Sequence, residues 1–234
     1  WIGSLLVIVI AITSFAQLSK AKNWDLAKYY GQNLNWKPCY DGFECAAFKV
    51  PMDYSKIDSR NFNLKVIRHR ATDSRNRIGA LLVNPGGPGG SATDYAYNAE
   101  SIVAPEIYQR YDIVGFDPRG IKNSEPIRCL TNRETDKFLE ASATGGNPDE
   151  IAKLIAVSKA FAAKCAKAAG EKLGHYSTLE TAKDMEVLRN ILREEKLNYL
   201  GKSYGTYLGT LYAAIYPNSV GKFVLDGAVA PNIS

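Results

Sequence analysis

The sequence predicts an α/β fold with a mostly parallel sheet and an antiparallel hairpin at its N-terminal side. Three observations predict it. Short apolar segments bounded by turn residues recur along the chain, and the later ones are continuous runs, as in strands buried on both faces. Helix start and stop signals fall between those later segments. A Gly-x-Ser-x-Gly pentapeptide, Gly201-Lys-Ser-Tyr-Gly205, sits where an apolar strand gives way to a helical pattern.

Six strands are expected, over residues 45–50, 62–70, 80–84, 112–117, 197–201 and 222–226. The polar stretch 53–61 between the first two predicts a hairpin. Asn147-Pro-Asp-Glu150 supplies a cap, a proline at the first helical position and acids in the first turn. Ile151, Leu154, Ile155, Phe161, Ala162 and Cys165 then share one helical face, expected to be buried, and Gly170 ends the helix. Ser177-Thr-Leu-Glu180 has the spacing of a capping box and opens a second helix through Leu188 and Leu192. A third helix is expected over 206–216, closed by Pro217. The sequence stops at Ser234, just after the sixth predicted strand.

Hydrophobic residues make up 46% of the 234 and charged residues 23%, a globular composition. The net charge is +5, yet the basic residues are scattered, and the run Arg68, Arg70, Arg75, Arg77 is interrupted by Asp73. Nucleic-acid binding needs a gathered basic patch, so no nucleic-acid partner is expected. Residues 1–18 carry no charge and centre on Leu5-Leu-Val-Ile-Val-Ile-Ala-Ile12. Residues 1–21 are therefore expected to be a signal peptide or an N-terminal membrane anchor, with Ser14-Phe-Ala16 suited to cleavage. Residues 22–234 follow as one folded unit, secreted or held outside the cytoplasm at the membrane.

Cys39, Cys45, Cys129 and Cys165 form no CxxC pair, and neither a metal nor a cofactor is expected. In an exported chain an even count points to disulfides. Cys39 and Cys45 flank a Tyr-Asp-Gly turn and are paired with each other, which leaves Cys129 with Cys165. Chain entropy gives the short loop roughly 2.4 kcal/mol and the long one roughly 3.8.

The pentapeptide carries the chemistry. Between a strand and a helix it is a nucleophile elbow, with Ser203 on a strained turn and Gly201 and Gly205 where side chains would collide. Gly201-Lys-Ser203 also looks like the end of a phosphate-binding loop, but that motif needs glycine where Lys196 stands. Asn84-Pro-Gly-Gly-Pro-Gly-Gly-Ser91 follows the third predicted strand, and Gly86 and Gly87 belong to it. In a serine hydrolase such a loop supplies one oxyanion-hole amide, here assigned to Gly87, and the residue after the nucleophile, Tyr204, supplies the other. The same loop also fits a dinucleotide-binding pattern, Gly87 to Ala92, with Asp117 as the ribose acid. Pro85 and Pro88 remove amides that a pyrophosphate would need. Asp117-Pro-Arg-Gly120 is expected to be architectural: Pro118 and Gly120 shape a turn, and Arg119 pairs with a buried carboxylate. A triad in this fold runs Ser, acid, His, yet no histidine follows Ser203. His69 and His175 are expected to be structural or exposed. Asp226 is expected to shape an Asp-Gly turn.

Taken in order, Val50-Pro-Met-Asp-Tyr54, the glycine loop 84–91, Asp117-Pro-Arg-Gly120, Gly201-Lys-Ser-Tyr-Gly-Thr206 and Val224-Leu-Asp-Gly227 resemble the secreted tripeptidyl aminopeptidases. These are relatives of the proline iminopeptidases within the α/β-hydrolases, and the likeness covers residues 36–231. It implies an exported aminopeptidase that releases short peptides from free N-termini through an acyl-enzyme on Ser203. It also implies a cap domain after the sixth strand, and a catalytic Asp and His, all beyond Ser234. The present chain would then be the N-terminal part of the catalytic domain and inert alone. Family members carry glycine after the Asp-Pro-Arg-Gly turn, where this sequence has Ile121-Lys-Asn123. A carboxylesterase of the same fold, a non-catalytic exported remnant and a dinucleotide-binding protein are the alternatives.

Overall fold

The structure is a computed structural model that describes residues 26–57, 60–141 and 147–230. The expected leader, 1–21, lies outside them. Residues 26–30 are helical and precede a seven-stranded sheet. Its strands are β1 (Lys37–Tyr40), β2 (Phe43–Pro51), β3 (Asn61–His69), β4 (Gly79–Asn84), β5 (Tyr111–Phe116), β6 (Leu197–Lys202) and β7 (Val220–Asp226), in the order β1-β2-β3-β5-β4-β6-β7. The six expected strands are all present. β1 is the addition, antiparallel to β2 and stapled to it by the Cys39–Cys45 disulfide. At four residues, all exposed, it has no apolar period to reveal it.

β1, β2 and β3 are antiparallel, β3 meets β5 antiparallel, and β5, β4, β6 and β7 run parallel. The chain leaves β4 for β5 on one side and later crosses to β6 on the other. The carboxyl end of β4 is thus the switch point at which a crevice opens in open α/β sheets. Asn84 pairs with Gly201, so the loop after β4 and the turn after β6 start side by side.

Adjacent residues on each strand go to opposite faces. Leu64, Val66, Leu82, Val114 and Tyr199 pack under α5 (Thr178–Ile191) and α6 (Tyr204–Ile215), whose Met185, Leu188, Leu208 and Tyr212 share that core. Ile67, Leu81, Val83 and Ile113 face the other way, toward Ala96 of α1 (Ala92–Tyr97), with α2 (Pro105–Arg110) just beyond.

Between β5 and α5 lie α3 (Asn132–Leu139) and α4 (Pro148–Ala169), joined through the Cys129–Cys165 disulfide and the Phe138–Phe161 ring contact at 4.8 Å. Asn147 caps α4 through the Asp149 amide and Gly170 ends it at φ +55°, as expected. The expected burial of its apolar stripe does not hold: no residue of α4 is buried, and Ile151 is 41% and Ile155 50% exposed. The reason is topological. α5 makes the crossover onto β6 and covers the sheet, so α4 rides outside on α3. Ser177 caps α5 by accepting from the Glu180 amide, but the Glu180 carboxylate turns to Ser177 Oγ and His175 Nδ1 instead of the cap's own N–H.

Candidate active site

β6 ends at Lys202 and α6 begins at Tyr204, so Ser203 alone makes the turn between them. Its backbone sits at φ +52° and ψ −123°, a region that residues with a side chain rarely adopt and that costs of order 1–3 kcal/mol. Three contacts hold it there: its N–H donates to the Asp226 carbonyl at 2.9 Å, and its carbonyl accepts from the Thr206 N–H at 2.9 Å and from Thr206 Oγ1 at 2.7 Å. The side chain stands exposed at the N-terminus of α6.

The flanking glycines are required by space. A Cβ on Gly201 would lie 2.5 Å from both the Gly205 carbonyl and the Tyr199 ring, and one on Gly205 would lie 2.9 Å from the Asn84 carbonyl. Gly86 brings the loop after β4 against the same turn: at φ +89°, its Cβ would meet the Lys202 carbonyl at 2.3 Å and the Tyr204 nitrogen at 2.9 Å. Gly86 N–H is bound to Asn84 Oδ1 and Gly90 N–H to the Gly86 carbonyl. Pro85 and Pro88 have no N–H, which leaves Gly87, Gly89 and Ser91 as the loop's amides without a partner among the described residues. Tyr204 is fixed from the side as well, its hydroxyl 2.6 Å from Thr178 Oγ1 at the start of α5.

The loop after β5 supplies the frame. Asp117 is fully buried, and both its carboxylate oxygens are engaged, by Ser91 Oγ at 2.8 Å, Thr93 Oγ1 at 2.9 Å and the Thr93 N–H at 3.1 Å. A ribose would find this acid already used, which removes the central support of the dinucleotide reading. Arg119 grips Asp184 of α5 with two contacts of 2.7 Å, both side chains wholly buried. It also donates to the carbonyls of Pro51, Met52 and His175. Burial works against the guanidinium charge, but Asp184 holds its pKa above the ordinary arginine value. Burial likewise raises the Asp184 carboxyl, with the Arg119 fork pulling the other way. One side chain thus ties the strand end, the β2–β3 turn and the entry to α5 together around the crevice.

Residues 79–234 match the α/β hydrolase fold family. The chain belongs to that family. Its relatives include a tripeptidyl aminopeptidase of Streptomyces coelicolor, 38% identical over 208 residues that make up 85% of this chain and 38% of the relative. The serine protease Hip1 of Mycobacterium bovis is 36% identical over 213 residues, 86% of this chain and 41% of that protein. Carboxylesterase B of Mycobacterium tuberculosis is 40% identical over 193 residues, 81% and 37%. The chain therefore spans about two fifths of the length of the α/β hydrolases it matches.

Among the described residues neither histidine is hydrogen-bonded to Ser203. His69 pairs with Ile113, which pairs with Leu81, which pairs with Asn198, so it lies three strands across and five residues short of Ser203. That places it about 20 Å away. It stacks on Tyr108 at 4.4 Å, and burial lowers its pKa. His175 Nδ1 is engaged by Glu180 at 2.9 Å. Asp226 forms the expected turn with Gly227 at φ +72° and pairs with Lys202 at 3.3 Å. Asp53, His175 and Glu180 offer ligand atoms within 4.8 Å of one another, the one such group among the described residues. The Glu180 carboxylate there is already taken by His175 and Ser177 and stands 3.7 Å from Arg119, a hydrogen-bonded network rather than an open metal seat.

Three supports of the site were not legible in the sequence: Asn84, Thr178, and the Ser91–Thr93 shelf on Asp117. Thr178 and the Ser91–Thr93 shelf act on residues more than twenty positions away, while the Asn84 side chain accepts from the Gly86 N–H two residues on, a local bond that the glycine-loop motif does not announce. In the segment after the Asp117-Pro-Arg-Gly120 turn, Lys122 takes φ +46°, a left-handed residue that is not glycine.

Proposed function

We propose that the protein is a serine hydrolase with Ser203 as nucleophile, acting as an exported aminopeptidase that frees short peptides from unblocked N-termini. The observation that carries this reading is the backbone of Ser203, held at φ +52° on an exposed turn at a helix N-terminus. No packing role needs a serine there. Ser203 Oγ attacks the scissile carbonyl carbon, its proton passes to a histidine, and the carbonyl oxygen becomes an oxyanion. The N–H groups of Tyr204 and Gly87 receive that charge, each worth about 2.7–4 kcal/mol in well-studied hydrolases. Collapse expels the amine, which takes the proton, and water releases the acyl group by the same steps in reverse. With His69 and His175 engaged elsewhere, the base and its orienting acid are assigned to chain beyond Ser234. The groups that hold the substrate's amine are assigned to the same downstream part. The two disulfides, with no free cysteine, support an oxidising compartment outside the cytoplasm. No helix among the described residues is long and apolar enough to cross a membrane.

Ester cleavage is the second reading, favoured by the 40% identity to a protein named as a carboxylesterase. The test is kcat/KM of the protein with its downstream chain on a chromogenic tripeptide, its N-acetylated form and a short-chain ester. The aminopeptidase reading expects the free tripeptide to exceed the acetylated one at least tenfold, because a charged amine bound in the transition state contributes about 1.4 kcal/mol or more. Equal rates on both tripeptides, with the ester faster, would move the assignment to the esterase.

A further inference from the structure

A cavity of about 560 Å³ opens on the α1 face of the sheet, separate from the crevice at Ser203. It lies between the β1–β2 hairpin, β3, α1 and the turn after β5. We propose that it binds a small amphipathic monocarboxylate, an aromatic or acyl body carrying one carboxyl group.

The volume is that of a cavity able to enclose a small organic molecule. Cys45 and Ile67 are directly paired across β2 and β3 and form an apolar floor. Tyr40 and Tyr97 close the outer side with rings 5.1 Å apart, and both remain about half exposed, at 57% and 49%. An apolar body of ring width fits against such a pair.

The charge comes from Lys65. It precedes Ile67 by two residues and so stands on the same face, which elsewhere along the sheet carries Ile67, Leu81, Val83 and Ile113. Lys122 also lines the cavity, but its ammonium pairs with Asp94. Asp117 engages both its oxygens with Ser91 and Thr93. Lys65 is left as the lining cation without a carboxylate among the described residues. A single unmatched ammonium beside aromatic and aliphatic walls selects one carboxylate. A phosphate dianion would need a second free cation, and a neutral body would leave the ammonium unpaired. Because Asp117 is part of the wall, an occupant would lie against the shelf that holds the glycine loop.

The probe is 3-phenylpropionate, titrated calorimetrically into the protein, with 3-phenylpropanol as its uncharged counterpart. Saturable binding of the acid is expected, with the alcohol at least tenfold weaker, since a hydrogen bond to a charged group is worth that or more. Lys65→Met should weaken the acid about tenfold and leave the alcohol unchanged, and Lys65→Arg should retain the acid. Ser203→Ala should bind the acid as the parent does, so the outcome is independent of the hydrolase assignment. Acid and alcohol of equal affinity, acid binding untouched by Lys65→Met in a protein of parental circular dichroism, or no saturable binding up to about 10 mM, would each overturn the proposal. Loss of acid binding in Ser203→Ala would place the ligand in the crevice and overturn it too. Should Lys65→Met not fold, the acid–alcohol comparison on the parent decides.

Discussion

Breaking the Arg119–Asp184 pair should destabilise the protein by more than any single hydrophobic contact around the site. Both side chains are wholly buried and share two contacts of 2.7 Å, with Tyr54 adding a third bond to Asp184 at 2.7 Å. Arg119→Met leaves a buried carboxylate with Tyr54 alone, and Asp184→Leu leaves a buried guanidinium with backbone carbonyls and the Glu180 carboxylate at 3.7 Å. Removing one partner of a buried pair costs about 3–5 kcal/mol. For a chain of this size about 2–4 °C of Tm accompanies each kcal/mol, so either variant should melt roughly 6–20 °C lower. The double variant Arg119→Met/Asp184→Leu removes both charges together, and its loss should fall well short of the sum of the two singles. Thermal and urea unfolding of the four proteins measure the cycle. Single variants within about 1 kcal/mol of the parent, or a strictly additive double, would refute the clamp.

Other outcomes follow from the same geometry. Ser203→Gly should raise stability by about 1 kcal/mol, the relieved strain outweighing glycine's chain entropy, whereas Ser203→Ala keeps the strained backbone and should leave urea unfolding nearly unchanged. A destabilised Ser203→Gly would contradict the strain. Burial alone would raise the Glu186 carboxyl, but bonds from Arg189 and Tyr212 hold it below its ordinary 4.5. A carboxyl depressed on folding stabilises above its unfolded pKa and loses that contribution as pH falls through the folded value. The Tm gap between parent and Glu186→Gln should therefore be wide at neutral pH and close in acid; a gap that widens in acid contradicts the sign. With no histidine after Ser203, the 234-residue chain alone should turn over neither tripeptide nor ester. Turnover abolished by Ser203→Ala would point to His175 as a base.

The strands and the elbow were legible because each depends on local pattern. Buried parallel strands need continuous apolar runs, and a turn at φ +52° hemmed by the Gly205 carbonyl needs glycine at 201. The role of Arg119 was legible because a charged residue in a strand-end turn needs a buried partner, although only the fold names Asp184. β1 was hidden because it is four exposed residues held by a disulfide and by pairing, not by burial. The α4 stripe misled because amphipathicity tells that a helix has an apolar face, not which neighbour meets it. α5 took the place on the sheet, and α4 was left to α3 and a disulfide.

The central claim is that Ser203 is the activated nucleophile, and covalent capture tests it most directly. The protein with its downstream chain should be treated with a fluorophosphonate and the adduct mapped by mass spectrometry. One labelled residue, Ser203, is expected, with labelling and peptide release both lost in Ser203→Ala. Labelling at another serine, or peptide release that survives Ser203→Ala, would contradict it.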